Sequence, residues 1–344
     1  MKLNSCNAFI RLLYREEVIV LDKKNAVALI DSGVKSDNPF LRENIIAETS
    51  FISSSSISLH GTLCASMMKS IEDEIPIYSV KILNENEYSD YMKLYEAFMY
   101  LKNIDAKIIN LSLATTNINS GKYLEKICNE LIDQGKIIIA SVDNQKGIGY
   151  PALYKNVLGI RGLRTMSMNE FWFNASYSIQ CACDMSPVLV PIGEHFAAFA
   201  GTSKATAIMT AIIYGILNRY EKIGNEELVA IIESQAEKTE WDLEKTYLDS
   251  TKPPSFKYKA YDANCKELQK ISWALSETIG HNVNVKDISK YDSLLRYGIN
   301  CQNGCKFLEE IEKVCDIKIR IPVQYYRLLS IGAILGLIEE FKGE

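Results

Sequence analysis

No stretch of the sequence reaches the roughly 18 uncharged apolar residues needed to cross a bilayer, so no membrane span is expected. Near the N-terminus, Arg11, Arg15, Glu16 and Glu17 interrupt the apolar residues before a run long enough for a signal peptide can form. Basic residues are in deficit: 38 Lys and Arg stand against 43 Asp and Glu, for a formal net charge of -5, and they form no dense run. That excludes the electrostatic footprint of a nucleic-acid binder. Histidine is scarcer still. Its three copies lie apart in sequence from Cys181-Ala-Cys183 and from Cys301-x3-Cys305, so neither cysteine pair gathers the four ligands of a zinc site. Both pairs read as structural or incidental thiols, and no metal or cofactor is expected. The nine cysteines, Cys6, Cys64, Cys128, Cys181, Cys183, Cys265, Cys301, Cys305 and Cys315, are odd in number and lack the spacing of a disulfide scaffold. A soluble protein of the reducing cytoplasm fits these absences.

What is present is apolar content, 47% over 344 residues, enough for a sizeable core and more than one domain of usual size. Residues 25–30 read NAVALI, a short apolar run rich in branched side chains that ends at Asp-Ser-Gly, as a buried parallel strand would. Similar runs recur at 75–83, 106–114 and 136–144, separated by helical patterns over 60–71, 91–102 and 121–134. This alternation predicts an α/β domain, a parallel sheet with helices on both faces. Reactive groups of such sheets gather at the carboxyl ends of the strands. The composition changes after about residue 245: STKPPSFKYK reads as a connector, followed by three helix-like segments with few strand signals. The expected organisation is an N-terminal extension (1–20), an α/β domain (21–248), a linker (249–260) and a small all-α bundle (261–344).

Asp31 closes the first strand, His60 opens a helical segment, and Ser203 follows Gly-Thr at the start of a long apolar helix. Taken singly, each has a plain structural reading: a turn former, a helix-start histidine and an N-cap neighbourhood. Taken in order, VALIDSGV, HGTLCASMM and AGTSKATAIMTA resemble the three signature segments of subtilisin-like serine peptidases, whose triad runs Asp, His, Ser along the chain. IIIASVDN (137–144) resembles the strand that ends in that family's oxyanion asparagine, and YPALYKNVLGI (150–160) the stretch after it. The resemblance covers about two thirds of the chain. It implies a three-layer parallel-sheet fold and a serine endopeptidase with Asp31, His60 and Ser203 as triad and Asn144 as oxyanion donor. A serine hydroxyl needs a base to remove its proton as the bond forms, and His60 would be that base, oriented by Asp31. By the same resemblance Ser112, Leu113 and Ala114 would pair with an extended peptide, with Ser141, Val142 and Asp143 forming the opposite wall of the specificity pocket.

Two positions depart from the family pattern. Asp143 stands where relatives have Gly, so it would either favour a basic substrate residue or face solvent. Lys204 follows the serine where relatives have Met, which would set a cation near His60 and disfavour its charged form. Only about 20 residues precede the first strand, so maturation by prosegment removal is not expected. In the C-terminal region, residues 294–322 resemble acyl or peptidyl carrier proteins, with Cys301 in the place of the serine that carries phosphopantetheine. A thiol does not serve that transfer, and Ser293 lies eight residues too early, so no swinging arm is expected. An unrelated small helical bundle would show the same amphipathic spacing. The reading is a cytoplasmic endopeptidase acting on a peptide or protein substrate, such as a biosynthetic precursor peptide whose leader it removes. A catalytically inactive binding protein on the same scaffold, and a general housekeeping protease, stand as rivals.

Overall fold

The computed structural model describes residues 24–35, 37–54, 57–165, 167–220, 222–241 and 265–342. The expected N-terminal extension and linker lie outside these residues. Strand β1 (Val27–Asp31) is buried at every position and lies parallel between β3 (Ile77–Lys81) and β4 (Ile108–Leu111). A strand flanked on both edges and covered on both faces must be apolar throughout, which is why its sequence shows no alternation. Its pleat nevertheless sorts its side chains. Val27 and Leu29 enter one core and Ala28 and Ile30 the other, as the two-residue period of a strand requires.

The sheet runs in the order β2-β3-β1-β4-β5-β6-β8-β7. β2 (Ile45–Ser50), β5 (Ile137–Ser141), β6 (Leu158–Leu163) and β8 (Cys181–Asp184) continue the parallel pattern, whereas edge strand β7 (Phe171–Phe173) is antiparallel to β8. One face is covered by α1 (Leu59–Lys69), α4 (Thr202–Arg219) and α5 (Asn225–Gln235), the other by α2 (Tyr91–Leu101) and α3 (Ile118–Asp133). This is the three-layer α/β arrangement expected from the sequence. Helix α4 is buried from Thr202 through Ala211 and again over most of the next two turns, and a helix apolar on all sides is stable only inside a core.

The C-terminal region contains α6 (Cys265–Ile279), α7 (Gly304–Cys315) and α8 (Ile331–Phe341), joined by short 3₁₀ turns. It also contributes a strand the sequence did not suggest. β11 (Val323–Gln324) pairs antiparallel with β9 (Val188–Ile192), which forms a hairpin with β10 (His195–Phe199). Leu189 and Phe196 of that hairpin lie in the same apolar cluster as Phe307, Ile311 and Leu335. The helical region is thus packed onto the chain segment that leads into α4.

Candidate active site

The carboxyl ends of β1, β4 and β5 and the N-termini of α1 and α4 converge at one end of the sheet's strands. Ser58 caps α1 by accepting the His60 N–H at 3.2 Å, which fixes His60 in the first turn. The His60 Nδ1 lies 2.8 Å from Asp31 Oδ1 and 3.0 Å from Oδ2. Asp31 is wholly buried, and the Ser32 N–H donates to its Oδ1 at 2.7 Å. Burial by itself would lower the His60 pKa, but the Asp31 charge, its hydrogen bond and the charge of Glu87 together raise it above the usual imidazole value. The close approach of α1 to β1 depends on Gly61, where a Cβ would fall 2.4 Å from the Gly33 carbonyl oxygen.

Cys64 lies one turn beyond His60, on the same side of α1. Its thiol lies 3.8 Å from Asp31 Oδ2. Burial, then the Asp31 charge, pushes this thiol well above its ordinary range. Asp31, His60 and Cys64 bring their donor atoms within 4.8 Å of one another. As a metal cradle the trio fits poorly: the Asp31 carboxylate is already engaged by the Ser32 N–H and His60, and the thiol resists the ionisation a metal requires.

Ser203 sits in the first turn of α4, where backbone N–H groups lack an intrahelical acceptor. The helix starts at Gly201, with φ of 90°, and a Cβ there would approach Asn144 Oδ1 to 3.0 Å. Asn144 Oδ1 accepts the Thr202 N–H at 2.9 Å. Because a backbone N–H can only donate, that contact fixes which end of the amide is oxygen. The exposed Nδ2, without a protein partner among the described residues, is left with both N–H donors available. The Ser203 hydroxyl donates to the Ser112 carbonyl at 3.3 Å, and among the described residues no hydrogen bond joins it to His60. The two sides meet through other contacts. Phe199, at the end of β10, sets its ring edge-on to His60 at 6.0 Å, and the Ser112 hydroxyl donates to the Ser203 carbonyl at 3.4 Å.

Leu113 and Ala114 continue half-buried from Ser112, and Thr115 bridges antiparallel to Tyr150. Between the two segments stands Gly149, where a Cβ would lie 2.8 Å from that of Ala114, so a glycine not singled out from the sequence lets the two segments approach this closely. Ser141 and Val142 are each 2% exposed and bury their side chains in the sheet. Asp143 is half-buried. Its Oδ1 accepts the N–H groups of Gln145 and Lys146 at 2.9 and 2.8 Å, closing the turn after Val142. Lys204 also departs from expectation, turning away from His60 into the interior. There its Nζ lies 2.6 Å from Asp184 Oδ2 and 2.8 Å from the Ser186 carbonyl. Sequence reasoning passed over Cys64, although a four-residue offset from a helical histidine is a readable signal. It also passed over Glu87, Asp184 and Phe199, which carry none.

Residues 22–258 match the model of the subtilase family. Thermitase of Thermoactinomyces vulgaris is 23% identical over 229 residues, which span 62% of this chain and 81% of thermitase. The minor extracellular protease Epr of Bacillus subtilis is 24% identical over 198 residues, 54% of this chain but only 30% of that protein. Among solved structures, a lanthipeptide protease superposes with a TM-score of 0.50 at 16% identity, over 60% of this chain and 78% of that one. Among the described residues no helix is long and apolar enough to cross a membrane.

Proposed function

The chain belongs to the subtilase family of serine proteases, and on that premise we propose that it is an endopeptidase whose nucleophile is Ser203, with His60 as base, Asp31 as its orienting partner and Asn144 as oxyanion donor. The observation that carries this reading is the pair of contacts from His60 Nδ1 to the Asp31 carboxylate at 2.8 and 3.0 Å. They leave Nε2 as the free nitrogen of a half-buried ring.

In the proposed reaction the Ser203 hydroxyl leaves the Ser112 carbonyl by rotating about χ1 and gives its proton to His60 Nε2 as its oxygen attacks the substrate carbonyl. Asp31 stabilises the imidazolium without taking that proton. The developing oxyanion is met by the Ser203 N–H, assisted by the positive end of α4, and by Asn144 Nδ2. His60 then delivers the proton to the leaving amine, and water repeats the sequence on the acyl-enzyme. Residues 112–114 would pair with the substrate backbone, and residues 141–143 would bound the pocket by their backbone.

The finer proposal is a cytoplasmic enzyme that matures a precursor peptide, with the helical region as docking module. Support for the compartment comes from the cysteines with described side chains, seven of the nine, all of them free and one of them exposed. Relatives such as Epr, exported by name, make the compartment a separate proposal from the chemistry. The substrate class rests on the helical region joined to the catalytic unit, since likeness to a lanthipeptide protease at 16% identity speaks to the fold alone. In the carrier-like reading, Cys301 lies three residues before α7 and would accept no phosphopantetheine. The rival reading, an inactive binding protein, is favoured by one contact, the Ser203 hydroxyl bonded to Ser112 rather than His60. A fluorophosphonate probe separates the two. The enzyme reading expects one stoichiometric adduct on Ser203, lost in Ser203→Ala together with peptide cleavage; a folded parent that takes no label overturns it.

A further inference from the structure

Glu87 stands at the tip of the loop between β3 and α2, and so far only its charge on His60 has been used. The loop is closed on itself. Asn84 Oδ1 accepts the N–H groups of Asn86 and Tyr88, each at 3.0 Å, while the Asn84 N–H donates to the Tyr88 carbonyl at 3.0 Å. This closure holds Glu87 at φ of 58°, a left-handed conformation that a non-glycine residue keeps only when its surroundings enforce it. Glu87 Oε1 accepts the Ser58 hydroxyl at 2.9 Å, and Ser58 Oγ in turn caps the His60 N–H at 3.2 Å. The carboxylate is therefore two hydrogen bonds from the His60 backbone and close enough for its charge to act on the imidazole. Its second oxygen has no protein partner among the described residues. The nearby Lys81 donates instead to the Ser54 carbonyl at 2.7 Å and acts on Glu85.

We propose that Glu87 is a specificity-determining residue that selects lysine or arginine at the substrate residue immediately before the one whose carbonyl is attacked. The inference rests on the catalytic reading given above. If the attacked residue sends its side chain into the cleft bounded by residues 112–114 and 141–143, the preceding side chain points the opposite way, because neighbours along an extended peptide alternate. That opposite side is where His60 and, through Ser58, Glu87 stand. An exposed carboxylate that meets only Ser58 among the described residues, on a loop closed by its own hydrogen bonds, loses little entropy in meeting a substrate cation. The contact remains solvent-screened, worth about two- to five-fold in rate constant and weaker at high salt.

The test uses the full chain and three quenched peptides that differ only at that residue, carrying Lys, Gln or Glu, with fluorophosphonate titration of Ser203 run on the same samples. The parent is expected to show kcat/KM in the order Lys, Gln, Glu, with the Lys-to-Gln ratio about two- to five-fold at low salt and shrinking as salt rises. Glu87→Gln should bring the three peptides together, and Glu87→Lys should reverse the order. A merely structural residue would lower all three rates in proportion. A parent that labels and cleaves but ignores the charge, or a Glu87→Lys variant that keeps the parental order, overturns the assignment alone. A folded parent that neither labels nor cleaves overturns the catalytic reading, and this assignment with it.

Discussion

Lys204 Nζ lies 2.6 Å from Asp184 Oδ2, with both side chains fully buried, one residue beyond Ser203. Burial drives the Lys204 pKa down and the Asp184 charge opposes it, leaving the ammonium below its ordinary value. The cation is therefore neutralised behind the helix rather than presented to His60. Two side chains taken out of water together are costly to separate, because removing one strands the other. Lys204→Ala and Asp184→Ala are each expected to cost about 3–5 kcal/mol of stability, read from urea unfolding. The double change Lys204→Met with Asp184→Ala should restore most of that loss. Single variants that cost under about 1 kcal/mol would show that the pair is not mutually dependent.

That pair also marks the limit of what the sequence discloses. The buried strands β1, β3, β4 and β5 were readable because burial on both faces demands continuous apolar runs, and Asp31 and His60 because each ends or begins an element. Where Lys204 points was not readable, since the answer lies with Asp184, twenty residues earlier at the end of β8. Asp143 was equally opaque: its carboxylate is taken by N–H groups two and three residues on, a local turn bond that competes with any outward role. β11 is two residues long and exists only because β9 offers it an edge. Glu87 depends on a loop closure that composition does not encode.

Asn144 is held by Thr202 so that its Nδ2 is free, and its value as a donor would be realised only when an oxyanion forms. Asn144→Ala is therefore expected to lower kcat by about 10²–10³, the cost measured for such a donor in subtilisin itself, with little change in KM. Steady-state kinetics on one peptide decides it. A loss appearing wholly in KM would assign Asn144 to ground-state binding instead.

The pH dependence follows from His60. As the proposed base it must be neutral in the free enzyme, so kcat/KM should rise with pH, and its acid-limb midpoint should lie above the ordinary 6.5. Glu87→Gln should move that midpoint down, and Asp31→Asn should move it further while lowering the rate. The sign for stability is opposite to that for activity. A histidine whose folded pKa is raised contributes stability that is fully present below its unfolded pKa and is lost as pH rises through the folded one. A midpoint at or below 6.5 in the parent would mean that burial outweighs the two carboxylates.

Gly61 ties these effects to the backbone. A Cβ at this position would lie 2.4 Å from the Gly33 carbonyl oxygen and 3.2 Å from Asp31 Oδ1. The first of these atoms is main chain, so it cannot step aside as the end of a flexible side chain would. Gly61→Ala must therefore separate the start of α1 from the loop after β1, stretching the His60–Asp31 contact and the bond from the Gly61 N–H to Ser32 Oγ at 3.1 Å. A displacement of about 1 Å at a reacting group is worth about 10²-fold in rate. The variant should thus fall about 100-fold in kcat, and its acid-limb midpoint should drop as Asp31 loses its hold on His60. Gly224→Ala is the matched control, because the nearest atom to its Cβ is 3.9 Å away and its φ of -79° suits any residue. It should keep the parental rate and profile. A Gly61→Ala enzyme that also kept both would show that the approach of α1 to β1 does not set the geometry of the pair.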